Sequence, residues 1–377
     1  MSSLLFWGSL GFICYAYWGY PLVLAMLSLV RNRTVRTAPI TPPLTMIITA
    51  FNEEVRIREK LENTLSVDYP AGYLQVIVAS DCSTDRTDEI VGGYASQGVQ
   101  LARVSERKGK EHAQQHAMQF VTGEIVIFSD VATILQPDAI RNMVSNFADP
   151  SVGCVSSEDR FIDPDGTISG EGAYVKYEMF LRSLESRVNT LVGLSGSFFA
   201  ARRDVCANWA PHLQSDFNTL LNAVRLGLRG VSDSRSVGYY KNIADERREY
   251  ERKVRTVLRG ISVFMHSIPL INPFRYGLFA WQLFSHKLCR WLVPFAMILM
   301  LAGNALLLGE SSFYQVAFAG QVGFYGLALA GITFRQVLRS TLMKLPSFFV
   351  LVNLSILTAW VRYLRGQRIV LWEPSKR

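Results

Sequence analysis

The sequence predicts an α/β protein: a mostly parallel, Rossmann-like sheet in a soluble middle, flanked by transmembrane and interfacial helices. Three observations carry that prediction. Between residues 44 and 157, β-branched runs alternate with helical stretches, the pattern of βαβ units whose strands run parallel. Residues 4–30, 291–309 and 313–334 are almost free of charge, and each is long enough to cross a hydrocarbon core of ~30 Å as a helix. The acids Glu53, Asp81 and Asp130 each fall just past or at the end of an expected strand, and open α/β sheets bind ligands outside the carboxyl ends of their strands.

The membrane segments come first in the chain. No Lys or Arg precedes residues 4–30, the apolar stretch is long, and no small-residue cleavage site stands out, so it reads as an anchor and not as a cleaved leader. Arg31, Arg33 and Arg36 follow it; Arg275, Lys287 and Arg290 precede residue 291; Arg335, Arg339 and Lys344 follow the next two crossings. The positive-inside rule then puts the middle on the cytoplasmic side of the plasma (inner) membrane. A shorter apolar run covers 348–361. A full crossing there would carry Arg362, Arg365, Arg368, Lys376 and Arg377 to the outside, so a re-entrant or interfacial segment is expected, with a true span as the alternative.

Composition narrows the class. The chain has 377 residues, is 49% hydrophobic and carries a net charge of +8. Its basic residues cluster beside apolar spans, which suits anionic lipid headgroups and not nucleic acid. Cys14, Cys82, Cys154, Cys206 and Cys289 form no C-x-x-C pair; neither a zinc site nor a disulfide framework is indicated, and a reducing cytoplasm fits.

In the middle, residues 37–43 form a Pro-containing linker. Strands are expected at 44–50, 74–80, 99–104, 125–129 and 152–157. Between them lie a helix through Val55, Ile57, Leu61 and Leu65, one capped by Ser83-Thr84-Asp85, one led by Lys108-Gly109-Lys110, and one from Pro137 to Phe147. Three acids on one sheet edge suggest a nucleotide-phosphate site, while no G-x-G-x-x-G and no P-loop occurs. Asp130 closes the run Glu124-Ile-Val-Ile-Phe-Ser-Asp130: it either faces a ligand or metal from a rigid support, or starts a turn or caps the helix after Pro137.

Beyond residue 157 the pattern loosens. Residues 171–188 carry an apolar stripe of Tyr174, Tyr177, Phe180, Leu181, Leu184 and Val188, more often core than binding surface. Gly193-Leu-Ser-Gly196-Ser197 either lets a ligand approach the backbone or makes a tight turn. Asp216 opens a helix, as N-cap or as functional acid. In 245–260, Arg248, Arg252, Arg255 and Arg259 recur at helical spacing, a solvated face or a phosphate-binding one. Residues 269–290 mix aromatic and basic side chains, as interfacial helices do.

Taken in order, Thr49-Ala-Phe-Asn-Glu53, Ser80-Asp81, Gly109-Lys110, Ser129-Asp130, Ser215-Asp216 and Arg252-Lys-Val-Arg255-Thr256 resemble the membrane-embedded members of glycosyltransferase family 2, related to cellulose, chitin and hyaluronan synthases. The resemblance covers about residues 44–260. It implies a GT-A fold and inverting transfer from a nucleotide sugar, usually UDP-linked, to a lipid-linked or growing glycan, as in exopolysaccharide or cell-envelope synthesis. It implies donor contacts from Phe51, Glu53, Asp81, Lys110, Asp130, Arg252 and Arg255. Asp130 would also meet a divalent cation, Mg or Mn, as the first acid of the family's D-x-D. Asp216 would be the general base, the Asp of T-E-D. Partners implied are the donor, the acceptor, membrane lipids and polysaccharide-synthesis proteins.

Three departures from the family pattern stand out: Asp130-Val-Ala132 lacks the second acid, Gln214-Ser215-Asp216 lacks the acidic neighbour, and Arg252-Lys-Val-Arg255-Thr256 has Arg for Gln and Thr for Trp. The last argues against a processive polymerase. A polyprenyl-phosphate glycosyltransferase and an inactive nucleotide-sugar-binding subunit are the alternatives. The expected division is an anchor at 1–37, a catalytic domain at 38–260, interfacial helices at 261–290 and a membrane region at 291–377.

Overall fold

The computed structural model describes residues 1–162, 173–241, 246–333 and 341–369. Glu171, Asp245, Arg335, Arg339, Lys376 and Arg377, named above, lie outside these residues, as do the side chains of Tyr174, Arg248 and Lys344. The chain forms two compact units. One joins Met1–Met26 to Asp245–Arg368; the other is Leu27–Ala244 with Ile369–Arg377.

The second unit is built on an eight-stranded sheet. Its strands are β1 (Leu44–Ala50), β2 (Leu74–Ser80), β3 (Val99–Arg103), β4 (Ile125–Asp130), β5 (Ile134–Leu135), β6 (Val152–Ile162), β7 (Phe198–Arg202) and β8 (Arg229–Lys241), in the order β3-β2-β1-β4-β7-β6-β8-β5. β3, β2, β1 and β4 run parallel; β7 is antiparallel to both β4 and β6, and β6 pairs parallel with β8. The mostly parallel sheet of the sequence reading is therefore present, with β7 reversed at its middle and the two-residue β5 reversed at its edge.

Both faces of the sheet are covered, which is why β1 is mostly apolar and is buried at every position, with the hydroxyls of Thr45 and Thr49 hydrogen-bonded to Gln75 and Gln114. Met46 and Ile48 join Ile57, Leu61, Ile140 and Met143 on one face. Ile47, Phe128 and Phe199 join Ala113, Ala117 and Leu220 on the other. The helix over Ile57–Leu65 starts later than its sequence pattern suggests: Val55 precedes it and is 87% exposed. β6 runs past residue 157, and β8 escaped the sequence reading because polar Ser232-Asp-Ser-Arg235 interrupts its apolar pattern.

Among the described residues, four candidate membrane-crossing helices stand out by length and composition: Ser2–Val30, which extends from the first unit into the second, Leu278–Leu306, Ser312–Thr333 and Leu345–Leu364. The second of them begins at Leu278, so the later part of the aromatic stretch at 269–290 is continuous with the apolar helix. Residues 348–361 lie in one unbroken helix, Thr341–Leu364, long enough for a span. The basic helix Glu246–His266 packs along it: Tyr250 and Thr358 share a hydroxyl hydrogen bond of 2.9 Å, Glu251 pairs with Arg362 at 3.1 Å, and Lys253 Nζ lies 4.6 Å from the Phe348 ring centre. A wholly solvated face is not what the structure shows for that helix.

Candidate active site

The parallel neighbours β2, β1 and β4 bring their carboxyl ends to one edge, with Ala50 opposite Ser80 and Thr49 opposite Asp130. Chain order reverses between β1 and β4, because β2 and β3 lie to one side of β1 and β4 to the other. Such a switch point opens the crevice in which α/β sheets bind ligands. Phe51, Glu53, Asp81 and Asp130 all sit at this edge.

Asp81 is fully buried, and its own N–H donates to the Ala50 carbonyl at 2.9 Å. Its carboxylate accepts the backbone N–H of Lys108 and of Gly109, each at 3.0 Å. Burial raises its pKa, and these hydrogen bonds act in the opposite sense. Arg107 connects this acid to the neighbouring strand end. Its guanidinium lies 3.8 Å over the Phe51 ring, and its Nε is 4.0 Å from Asp81. Sequence reading missed Arg107, since a loop arginine carries no periodic signal. Glu53 is 3% exposed and gives both carboxylate oxygens to Arg56, at 2.7 and 2.8 Å, while its N–H donates to Thr87 Oγ1. Burial raises its pKa against the pull of Arg56. The structure thus uses Glu53 to tie the strand-end loop to the following helices.

Lys110 opens the helix Lys110–Met118, and its side chain is 8% exposed. Its ammonium donates to Asp130 Oδ1 at 2.5 Å and to the Gly196 carbonyl at 2.9 Å. A second lysine lies beneath the same turn. Lys60 is completely buried; its Nζ donates to Ser129 Oγ at 2.8 Å and to the Thr133 carbonyl at 2.7 Å. Burial depresses its pKa to about 7, against the attraction of Asp130. The signal for Lys60 was in the sequence: it shares the buried face of its helix with Ile57, Leu61 and Thr64, at i+3 of that stripe.

Asp216 sits in the first turn of the helix Ser215–Arg225, whose N-cap position is Gln214. It is therefore not the N-cap. Gln214 Nε2 donates to Asp216 Oδ2 at 3.0 Å, and the Ser215 N–H donates to the buried Glu111 at 3.3 Å. Gly196 lies between this acid and Lys110, which its carbonyl holds: a Cβ built on it would lie 3.0 Å from Asp216 Oδ2. The small-residue loop of 193–197 therefore serves close approach.

What holds that loop is a carboxylate the sequence reading passed over. Asp159, on β6, accepts the Ser195 hydroxyl at 2.7 Å, Ser157 at 3.1 Å, Ser197 at 3.3 Å and Tyr240 at 3.4 Å. Burial raises its pKa. Arg182 adds hydrogen bonds to Ser156 Oγ and the Gly193 carbonyl. Arg252 and Arg255 belong to the other unit.

Comparison with known proteins decides the family. Residues 45–209 match the model of "Glycosyl transferase family 2". An N-acetylglucosaminyltransferase of Bradyrhizobium elkanii is 31% identical over 137 residues, covering 35% of this chain and 74% of that protein. The chain belongs to glycosyl transferase family 2. A poly-beta-1,6-N-acetyl-D-glucosamine synthase of Staphylococcus aureus (strain COL) is 24% identical over 192 residues, 45% of this chain, but the match spans only 46% of the synthase. Among solved structures, the mannosyltransferase PcManGT from Pyrobaculum calidifontis, in complex with GDP-Man and Mn2+, superposes with a TM-score of 0.73 at 24% identity, over 97% of this chain and all of that one. The GT-A fold implied by the sequence resemblance is the fold observed, and the four apolar helices are compatible with membrane association.

A divalent cation is typical of this family, and the residues here do not fit one well. Such ions bind through carboxylates together with substrate phosphates. Ala132 stands where the second acid belongs. Among the described residues no three His, Cys, Asp or Glu side chains converge, and Asp130 already carries the Lys110 ammonium.

Proposed function

We propose that this chain transfers a sugar from a nucleotide-sugar donor, bound at the carboxyl edge of β1, β2 and β4, to a lipid-linked or growing glycan acceptor. One observation carries the reading: the Gly196 backbone has the Lys110–Asp130 pair on its carbonyl and the Asp216 carboxylate against its Cα. A charge-neutralising group and a base thus flank one loop.

In this reading Phe51, with Arg107 on its face, and Asp81 receive the base and ribose, with Glu53 shaping their loop. Lys110 and Asp130 meet the diphosphate, and Arg252 and Arg255 add charge from the basic helix. Sugar transfer passes through an oxocarbenium-like state. Charge developing on the leaving diphosphate is stabilised by fixed donors such as the Lys110 ammonium. The acceptor hydroxyl is a weak acid, so it needs a carboxylate within hydrogen-bond reach; Asp216, oriented by Gln214, fills that role. In-line attack from the face opposite the diphosphate inverts the anomeric centre.

The names of the relatives, an N-acetylglucosaminyltransferase and a poly-beta-1,6-N-acetyl-D-glucosamine synthase, favour a UDP-linked N-acetylhexosamine. The division into an anchor at 1–37, catalytic domain at 38–260, interfacial helices at 261–290 and membrane region at 291–377, with a cytoplasmic catalytic face, belongs to the same proposal. The test is to incubate the purified full chain with labelled UDP- and GDP-sugars and with polyprenyl-phosphate and oligosaccharide acceptors. Asp216→Asn should lower transfer by about 100-fold or more while leaving nucleotide binding intact. Full transfer by that variant would sink the assignment.

A further inference from the structure

We propose that the Lys110 ammonium takes the place of the divalent cation at the donor diphosphate, so that this chain binds its donor without metal. The inference rests on the donor site proposed above and concerns how that site balances charge.

The first support is the charge count. Two carboxylates around a divalent cation sum to zero. Asp130 with Lys110 also sums to zero, because Ala132 has removed one acid. Gly109-Lys110 belongs to the family pattern as well, so the difference lies at 132: without metal, two acids and that lysine would leave a net charge of −1 toward the diphosphate, whereas Asp130 and Lys110 sum to zero.

The second support is geometric. Lys110 is fixed between two acceptors on different elements, Asp130 on β4 and the Gly196 carbonyl before β7. A lysine ammonium is a compact, multi-donor point charge suited to phosphate, and one held this way loses little freedom on meeting it. The third support is the turn that carries Ala132. The Thr133 N–H donates to the Asp130 carbonyl at 3.2 Å, and the Thr133 carbonyl accepts from Lys60. Thr133 Oγ1 donates to the Ser197 carbonyl at 3.2 Å, and the Asp130 N–H donates to the same carbonyl at 2.9 Å. Four hydrogen bonds hold this turn in the shape that presents Asp130 to Lys110.

The decisive measurement is calorimetric titration of the detergent-purified full chain with UDP and with GDP, in EDTA and in Mn2+. The expected result is that one nucleotide binds with nearly the same Kd in both conditions. Lys110→Met should weaken that binding about 10–100-fold in EDTA, the worth of a charge-assisted hydrogen bond. Ala132→Asp restores the second acid without touching Lys110, and its nucleotide binding should become Mn2+-stimulated, with bound Mn2+ detectable by electron paramagnetic resonance. Binding by the native chain that appears only with Mn2+ overturns the inference, even if sugar transfer is then observed. Binding of neither nucleotide in either condition overturns the donor-site reading and the inference with it.

Discussion

Lys60 offers the sharpest quantitative test of the structure. Its ammonium is buried, and its pKa falls from an ordinary 10.5 to about 7. Between pH 7 and 10.5 the unfolded chain therefore holds a proton at this site that the folded chain has released. Stability must rise with pH across that window and level off above it. Below pH 7 both states are charged, and the cost of burying the ammonium is fully present. At ~1.4 kcal/mol per pH unit, the native protein should gain about 2–3 kcal/mol from this group between pH 7 and pH 9. Lys60→Met removes the titration. It also leaves Ser129 Oγ and the Thr133 carbonyl without their lysine donor, a cost of roughly 1–3 kcal/mol for each group left unsatisfied that does not vary with pH. The assay is thermal unfolding of the native and Lys60→Met chains in detergent at pH 6, 7, 8 and 9, read as the difference between them, so that other titrations cancel. The native protein's advantage should grow steadily above pH 7. A difference that stays flat, or that shrinks as pH rises, would refute the buried, weakly basic lysine.

Three further outcomes follow from the site. Gly196→Ala places a Cβ 3.0 Å from Asp216 Oδ2 and displaces the proposed base; steady-state kinetics should show kcat down by about 10–100-fold with donor KM little changed. Gly123→Ala would set a Cβ 2.5 Å from both the Leu44 carbonyl carbon and the Thr45 nitrogen, so thermal unfolding should show a loss of at least ~1–3 kcal/mol. Asp159→Ala strips the Ser195 and Ser197 hydroxyls of their acceptor; kcat should fall while nucleotide affinity, measured by titration, holds.

The part of the fold legible in the sequence is the part governed by local pattern. β1 and β4 are rich in β-branched residues, and the acids that mark the edge lie at or just past their ends. β8 was illegible because polar Ser232-Asp-Ser-Arg235 interrupts it, and it is a strand through pairing with β6 and β5. The same division runs through the site. Asp81, Asp130, Lys110 and Asp216 announce themselves by strand ends and helix starts. Arg107 and Asp159 do not. Arg107 acquires its meaning from Phe51, which lies on another strand end, and Asp159 from a loop that reaches it through tertiary contact. Glu53 shows the converse: an acid in the right place whose carboxylate the fold has engaged with Arg56.

The two missing acids have a common physical consequence. In the family pattern, D-x-D and T-E-D together carry four carboxylates; here Ala132 and Ser215 leave Asp130 and Asp216 as the only two at those positions. Each absent acid removes repulsion toward the donor, and so removes part of the need for a cation to offset it. The two positions are not equivalent. Ala132 is partly exposed beside Asp130, where an added carboxylate could share an ion. Ser215 is buried, with the carboxylate of Glu111 already on its N–H. A glutamate there would meet a like charge in a site with little water, where repulsion is screened least. Nucleotide binding in EDTA should therefore weaken with either Ala132→Asp or Ser215→Glu, whereas Mn2+ should recover it only for Ala132→Asp. Recovery of both by Mn2+ would mean that the cation's position is set by something other than Asp130 and its turn.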